Sequence, residues 1–137
     1  MKIINVAEYI VDMSTKLNMP CTNLLLNRIL FEIQKKGTKE FNRYILDETF
    51  EAWPIGPICP TIYYRFCGFG AEPILLSFSN SIDIFTGEDS ELHYLVDKIA
   101  NKMLAEGNRN PLYALKDKPT EWERVYTEKS HNPIYFC

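Results

Sequence analysis

Seventeen residues, Asp47 to Tyr63, constrain this chain more than any other stretch. They read D-E-T-F-E-A-W-P-I-G-P-I-C-P-T-I-Y and hold three of the eight prolines. A proline ring fixes φ and removes a backbone donor, so Pro54, Pro57 and Pro60 cannot lie inside a regular helix or a central strand. Gly56 before Pro57 reads as a tight corner. Pro60 suits the first position of a helix, where an N–H has no intrahelical acceptor. The stretch therefore predicts a short strand over residues 50 to 53, a stiff corner and a helix start, with Trp53 packed in support of the corner.

The length, 137 residues, suits one domain with a core that closes without staples. Hydrophobic residues make up 46% and charged residues 24%, which argues for a folded protein. The net charge of −3 is opposite to that of a protein held on nucleic acid by counterion release. The one basic run, Lys35, Lys36, Lys39 and Arg43, reads as a solvated face. No membrane-length apolar run or secretory leader is legible, which predicts a cytoplasmic protein. Cys21, Cys59, Cys67 and Cys137 form no C-x-x-C and no zinc-type spacing. The first three read as small apolar or surface thiols, and Cys137 as an exposed, oxidisable one.

Helical periodicity organises most of the chain. Residues 5 to 17 read as a helix with Val6, Ile10, Met13 and Leu17 on one face, an Asn5–Glu8 capping box at its start and Asn18 at its end. Thr22 caps a second helix with an apolar stripe through Leu25, Leu26, Ile29, Leu30 and Ile33. Asn27 and Arg28 fall on its surface, and Gly37 stops it. Residues 38 to 43 read as a polar loop. Tyr44–Leu46 and Phe50–Trp53 read as a hairpin around the turn Asp47–Thr49. A third helix covers about residues 60 to 67, ended by Gly68 and Gly70. Residues 71 to 88 read as a second hairpin or as irregular chain. Asp89 or Ser90 caps a helix carrying Leu92, Leu95, Val96, Ile99 and Met103 that stops at Gly107. Asn110 and Pro111 open a short helix, and Thr120 with Glu123 forms a capping box for another around Trp122. The apolar tail, His131 to Cys137, is expected to dock on the domain or meet a partner. The fold class is mainly α, a compact helical domain with one or two short β-hairpins, over residues 1 to 137.

A search for chemistry finds no placed nucleophile, base or metal set. His93 and His131 read as surface or packed imidazoles. Asp47, Glu48 and Glu51 form the acidic cluster beside the corner. A metal-dependent hydrolase using them is a remote alternative to turn-capping and solvation. No catalytic residue, metal ligand or cofactor is assigned. Aromatic residues are abundant, Tyr and Trp are favoured at interfaces, and Tyr63-Tyr64 follows the corner directly, so the chain reads as a binding module.

Two segments carry a family resemblance. T-N-L-L-L-N-R-I-L-F-E-I-Q followed by F-E-A-W-P-I-G-P-I-C-P-T-I-Y resembles the Panacea antitoxin domain, also called the SocA-like or phage-associated protein family. Its pattern is a helix reading roughly L-x-K-L-L-Y-Y-A-Q, then E-A-W-x-Y-G-P-V-x-P-x-(L/V)-Y. Glu51, Ala52, Trp53, Gly56, Pro57, Pro60 and Tyr63 match the second motif at its spacing. Leu26, Ile29, Leu30, Phe31 and Gln34 echo the first, and Trp122 resembles a late Pro-Trp motif. Ile55 stands where tyrosine is common, Asn27-Arg28 replaces a polar-Lys pair, and the histidine often found before the late Trp is absent. The resemblance spans about residues 1 to 127. It implies a helical, non-enzymatic protein that neutralises a toxin by direct binding or delivers it to a protease. A phage-encoded inhibitor of a host defence protein, such as a CRISPR nuclease, is the alternative. The expected partner is thus a protein, not nucleic acid or membrane. Glu48, Glu51, Tyr63 and Tyr64 are the expected contacts, and Trp53, Gly56, Pro57 and Pro60 are the structural motif.

Overall fold

The computed structural model describes residues 1 to 136; Cys137, and with it the expectation of an exposed terminal thiol, lies outside them. Five helices are described, α1 (Ile3–Lys16), α2 (Asn23–Phe41), α3 (Pro60–Arg65), α4 (Leu92–Arg109) and α5 (Thr120–Val125). Three short strands accompany them, β1 (Phe50–Trp53), β2 (Gly56–Ile58) and β3 (Asn132–Ile134). The mainly helical class with a minor β component is what the sequence predicts.

α2 runs through the centre. Leu26, Ile29, Leu30, Phe31 and Ile33 are fully buried along it. They pack with Ile3, Val6 and Ile10 of α1, and with Leu92, Val96, Ile99 and Leu104 of α4, in one apolar cluster. Each fully buried large apolar side chain contributes roughly 1.5–3 kcal/mol. Thr22 caps α2 as expected, its side chain accepting from Leu25 N at 3.2 Å. Asn18, with φ 53°, ends α1 in a Schellman arrangement: its N–H donates to Thr15 O and that of Met19 to Ser14 O.

Other helix ends differ from expectation. α1 begins at Ile3, so Asn5 is inside it and the Asn5–Glu8 box does not form. The cap comes from a distance: Asp47 Oδ1 accepts from Ile3 N at 2.8 Å. α2 does not stop at Gly37 but continues to Phe41, taking in most of the expected polar loop, and ends at Asn42 in the left-handed region. Gly37 is inside because Ile45 packs directly on it: a Cβ there would overlap Ile45 Cδ1 and lie 2.8 Å from Cγ1. Gly107 is likewise a close approach, 2.6 Å from Leu25 Cδ2 for an added Cβ, and α4 runs on to Arg109. α4 is led in by a 3₁₀ turn, Gly87–Glu91, without a side-chain cap from Asp89 or Ser90. The segment after Asn110 is one 3₁₀ turn, Tyr113–Leu115, started by Asn110 Oδ1 accepting from Leu112 N. Pro119 stands at the N-cap of α5, so the Thr120–Glu123 box is absent.

The sheet has the order β2-β1-β3, both pairs antiparallel. β1 pairs with β2 across a two-residue turn, Pro54-Ile55, placing Trp53 opposite Gly56 and Ala52 opposite Pro57. On its other side Phe50 faces Ile134 and Glu51 faces Pro133. The two strand prolines thus sit in edge strands, where a missing donor breaks no central ladder. Tyr44–Leu46 is not the hairpin partner of β1. Its backbone is occupied by Gln34, buried on α2: Oε1 accepts from Ile45 N and Leu46 N, and Nε2 donates to Leu46 O. Residues 71 to 80 are irregular chain rather than a hairpin, joined to the core by Ile74 N donating to Cys21 O. The tail docks: Ile134 is buried, and Phe136 lies 5.3 Å from the Phe31 ring.

Candidate partner-binding site

The corner is fastened from beneath by two asparagines of α2. Asn27 Oδ1 accepts from Cys59 N at 2.9 Å, while its Nδ2 donates to Asn23 O and Oδ1. Asn23 Nδ2 donates to Tyr63 O at 2.9 Å. Both side chains are buried, so Asn27 is no surface residue, contrary to expectation, and Arg28 is only part-exposed. Asn23, Asn27 and Gln34, spaced four and seven apart, lie on one stripe of α2 and serve the backbone laid across it. That polar stripe within an apolar helix was the legible signal for this anchoring.

Strand alternation then sorts the side chains of β1. Phe50 and Ala52 turn into the core, and Glu51 and Trp53 share the opposite face. Trp53 Nε1 donates to Glu51 Oε1 at 2.9 Å. The indole is nearly buried, stacked on the His131 ring at 4.3 Å and 17°. Tyr63 packs edge-on at 5.0 Å and Tyr64 at 6.2 Å, and the two tyrosines meet at 5.6 Å. His131 Nδ1 lies 3.8 Å from Glu51 Oε1. Trp53 O accepts from Trp122 Nε1 at 2.7 Å, which ties α5 to the corner. Trp122 in turn stacks on Tyr126 at 4.3 Å.

Glu51, Tyr63 and Tyr64 are therefore gathered around Trp53. Tyr64 is the open one, 62% exposed, while Tyr63 and Glu51 are half-buried. Glu48 is exposed and makes no hydrogen bond or ion pair among the described residues. Gly56 (φ 129°) and Pro57 are buried in β2, and Pro60 opens α3 at its first turn. His131, read from the sequence as a surface or packed imidazole, arrives here with the tail, and no local pattern marks a residue so far along the chain as a neighbour of Trp53.

The acids beside the corner do not converge. Asp47 caps α1, Glu51 holds the indole, and Glu48 points to solvent. Among the described residues no group of three or more His, Cys, Asp or Glu side chains is placed to hold a metal ion. Cys21 and Cys59 are buried and Cys67 is exposed. Burial pushes the Cys59 thiol up to about 11 and raises that of Cys21 further, so neither is a ready thiolate. No described helix is long and apolar enough to cross a membrane.

A second aromatic cluster joins α1 to α4. Tyr9 Oη donates to Asp97 Oδ1 at 2.5 Å and meets His93 Nε2 at 3.1 Å, and His93 stacks on Phe85 at 4.4 Å. Burial, and then the Asp97 carboxylate, raise the Tyr9 phenol well above its ordinary range. A phenol held protonated as a donor fits a structural tie between the helices.

Comparison with known proteins finds one informative likeness. Over 102 residues the chain is 28% identical to Antitoxin SocA of Caulobacter vibrioides (strain NA1000 / CB15N). The match takes in 74% of this chain and 52% of that protein, so the chain spans about half the length of the curated relative it matches. No family model matches, and no solved structure does. The likeness is consistent with a protein-binding role.

Proposed function

We propose that this protein is an antitoxin of the Panacea, SocA-like kind. It neutralises a partner toxin by binding it, either blocking it directly or presenting it to a protease. The observation that carries this reading is the similarity to Antitoxin SocA across three quarters of the chain. The site supports it physically. An aromatic face with one open tyrosine over a rigid, hydrogen-bonded base is the form that interface anchors take, because little side-chain entropy is lost on binding. Tyr64 is the central contact, Tyr63 and Glu51 border it, and Glu48 adds charge that steers a basic partner. Trp53, Gly56, Pro57 and Pro60 hold the face in shape.

The test begins with affinity capture of the partner by this chain in its own host. The captured protein is then expressed alone and together with this chain. The expected result is growth arrest by the partner alone and recovery on co-expression. A stoichiometric partner that leaves growth unaffected would count against the antitoxin reading.

A further inference from the structure

Between α2 and α4 the surface opens into a groove of about 720 Å³. None of the residues lining it belongs to the Trp53 cluster. Its floor is apolar, with Leu95, Ile99 and Met103 along one stripe of α4. One end is closed by the loop after α4, which Arg28 holds in place: Nη2 donates to Asp117 O at 2.8 Å and Nη1 to Lys116 O at 3.5 Å.

Arg28 pays for this position in counter-charge. Its side chain is only 12% exposed, and its nearest carboxylate, Glu32, stands 3.9 Å from Nε. That N–H is buried and has no acceptor among the described residues. A cation held away from water with so distant a counter-charge leaves a positive potential at that end of the groove.

The rim adds to the same sign. Lys36, Lys98, Lys102 and Lys116 border the groove and enter no ion pair among the described residues. Of the carboxylates on its walls, Glu106 pairs with Arg109, which leaves Glu32, Glu40 and Asp117 against Arg28 and the four lysines. The groove is thus locally cationic on a chain whose net charge is −3.

We propose that this groove is a second docking site, for an acidic peptide segment of a protein partner. Carboxylates of the segment pair with the lysine rim, and its apolar side chains lie on the Leu95–Ile99–Met103 floor. A nucleic-acid strand fits less well. Its evenly spaced phosphates would meet the wall carboxylates, and it offers nothing aliphatic to the floor. A peptide spaces its charges and brings both kinds of group.

The experiment is fluorescence anisotropy of the protein with a labelled synthetic peptide of alternating Glu-Glu and Leu blocks, at low salt. Saturable binding is expected, weakened at least about tenfold by Lys98→Glu with Lys102→Glu and also weakened by added salt. Both lysines are exposed, so circular dichroism should show the fold intact. Tyr64→Ala should leave peptide binding unchanged, which separates this site from the proposed toxin face. The proposal is overturned if the wild-type protein does not bind, if the charge-reversed variant binds equally well, or if a single-stranded oligonucleotide binds more tightly and displaces the peptide.

Discussion

Asn27 shows how much one side chain can hold. Its carbonyl oxygen accepts the Cys59 N–H and its amide nitrogen satisfies Asn23, all out of contact with water. Asn27→Ala leaves the Cys59 donor unpaired beside the corner and should cost about 1–3 kcal/mol. Urea unfolding checks this, with a lowered midpoint and an unchanged slope. Asp12 offers a pH-resolved counterpart. Burial raises its pKa, but bonds from Lys16, Phe78 N and Ser81 outweigh that, and the folded carboxyl ends below its ordinary value. A depressed folded pKa stabilises the protein above the unfolded aspartate range, about 3.9, and that contribution is lost as pH falls through the folded value. Asp12→Asn should therefore be less stable than wild type at neutral pH, with the difference closing as acid protonates the wild-type carboxylate. A pH series of thermal unfolding would show it, and a constant difference would refute it.

Among the helices and strands, two of the four glycines read as helix stops, Gly37 and Gly107, carry the clearest lesson. Gly37→Ala gains helix propensity of about 1 kcal/mol, yet its Cβ overlaps the Ile45 side chain. Overpacking of this kind costs about 1–3 kcal/mol, so the variant should be no more stable than wild type and typically less so. Gly68→Ala, with nothing within 4 Å, should be close to neutral by the same denaturation assay. What was legible in the sequence was local: the Thr22 cap, the Asn18 stop, the Pro60 helix start and the apolar stripe of α2 all follow from a few neighbouring residues. What was not legible depends on distant partners. Gly37 and Gly107 answer to Ile45 and Leu25. The α1 cap comes from Asp47, and Gln34 takes Ile45 N and both backbone groups of Leu46 while the Met1 amino group takes Ile45 O, so the backbone of Ile45 and Leu46 is not free for a strand. The candidate site was half legible. Glu51, Trp53, Tyr63 and Tyr64 lie close in sequence around one corner, whereas His131 reaches the indole only because β3 adds to β1.

Across the whole molecule, α2 is the bench on which the rest is mounted. Its apolar stripe makes the core with α1 and α4, and its polar stripe carries the corner. From there α5 and the tail close over Trp53. This rigid base carries one exposed anchor, Tyr64. The most direct test is calorimetric titration of the captured protein partner into wild type and Tyr64→Ala, with thermal unfolding of both. The predicted result is an affinity at least about tenfold weaker, or about 1.4 kcal/mol, with an unchanged unfolding midpoint, because the Tyr64 side chain is largely solvent-exposed. Equal affinity for the two proteins would contradict the proposed placement of the partner on this face.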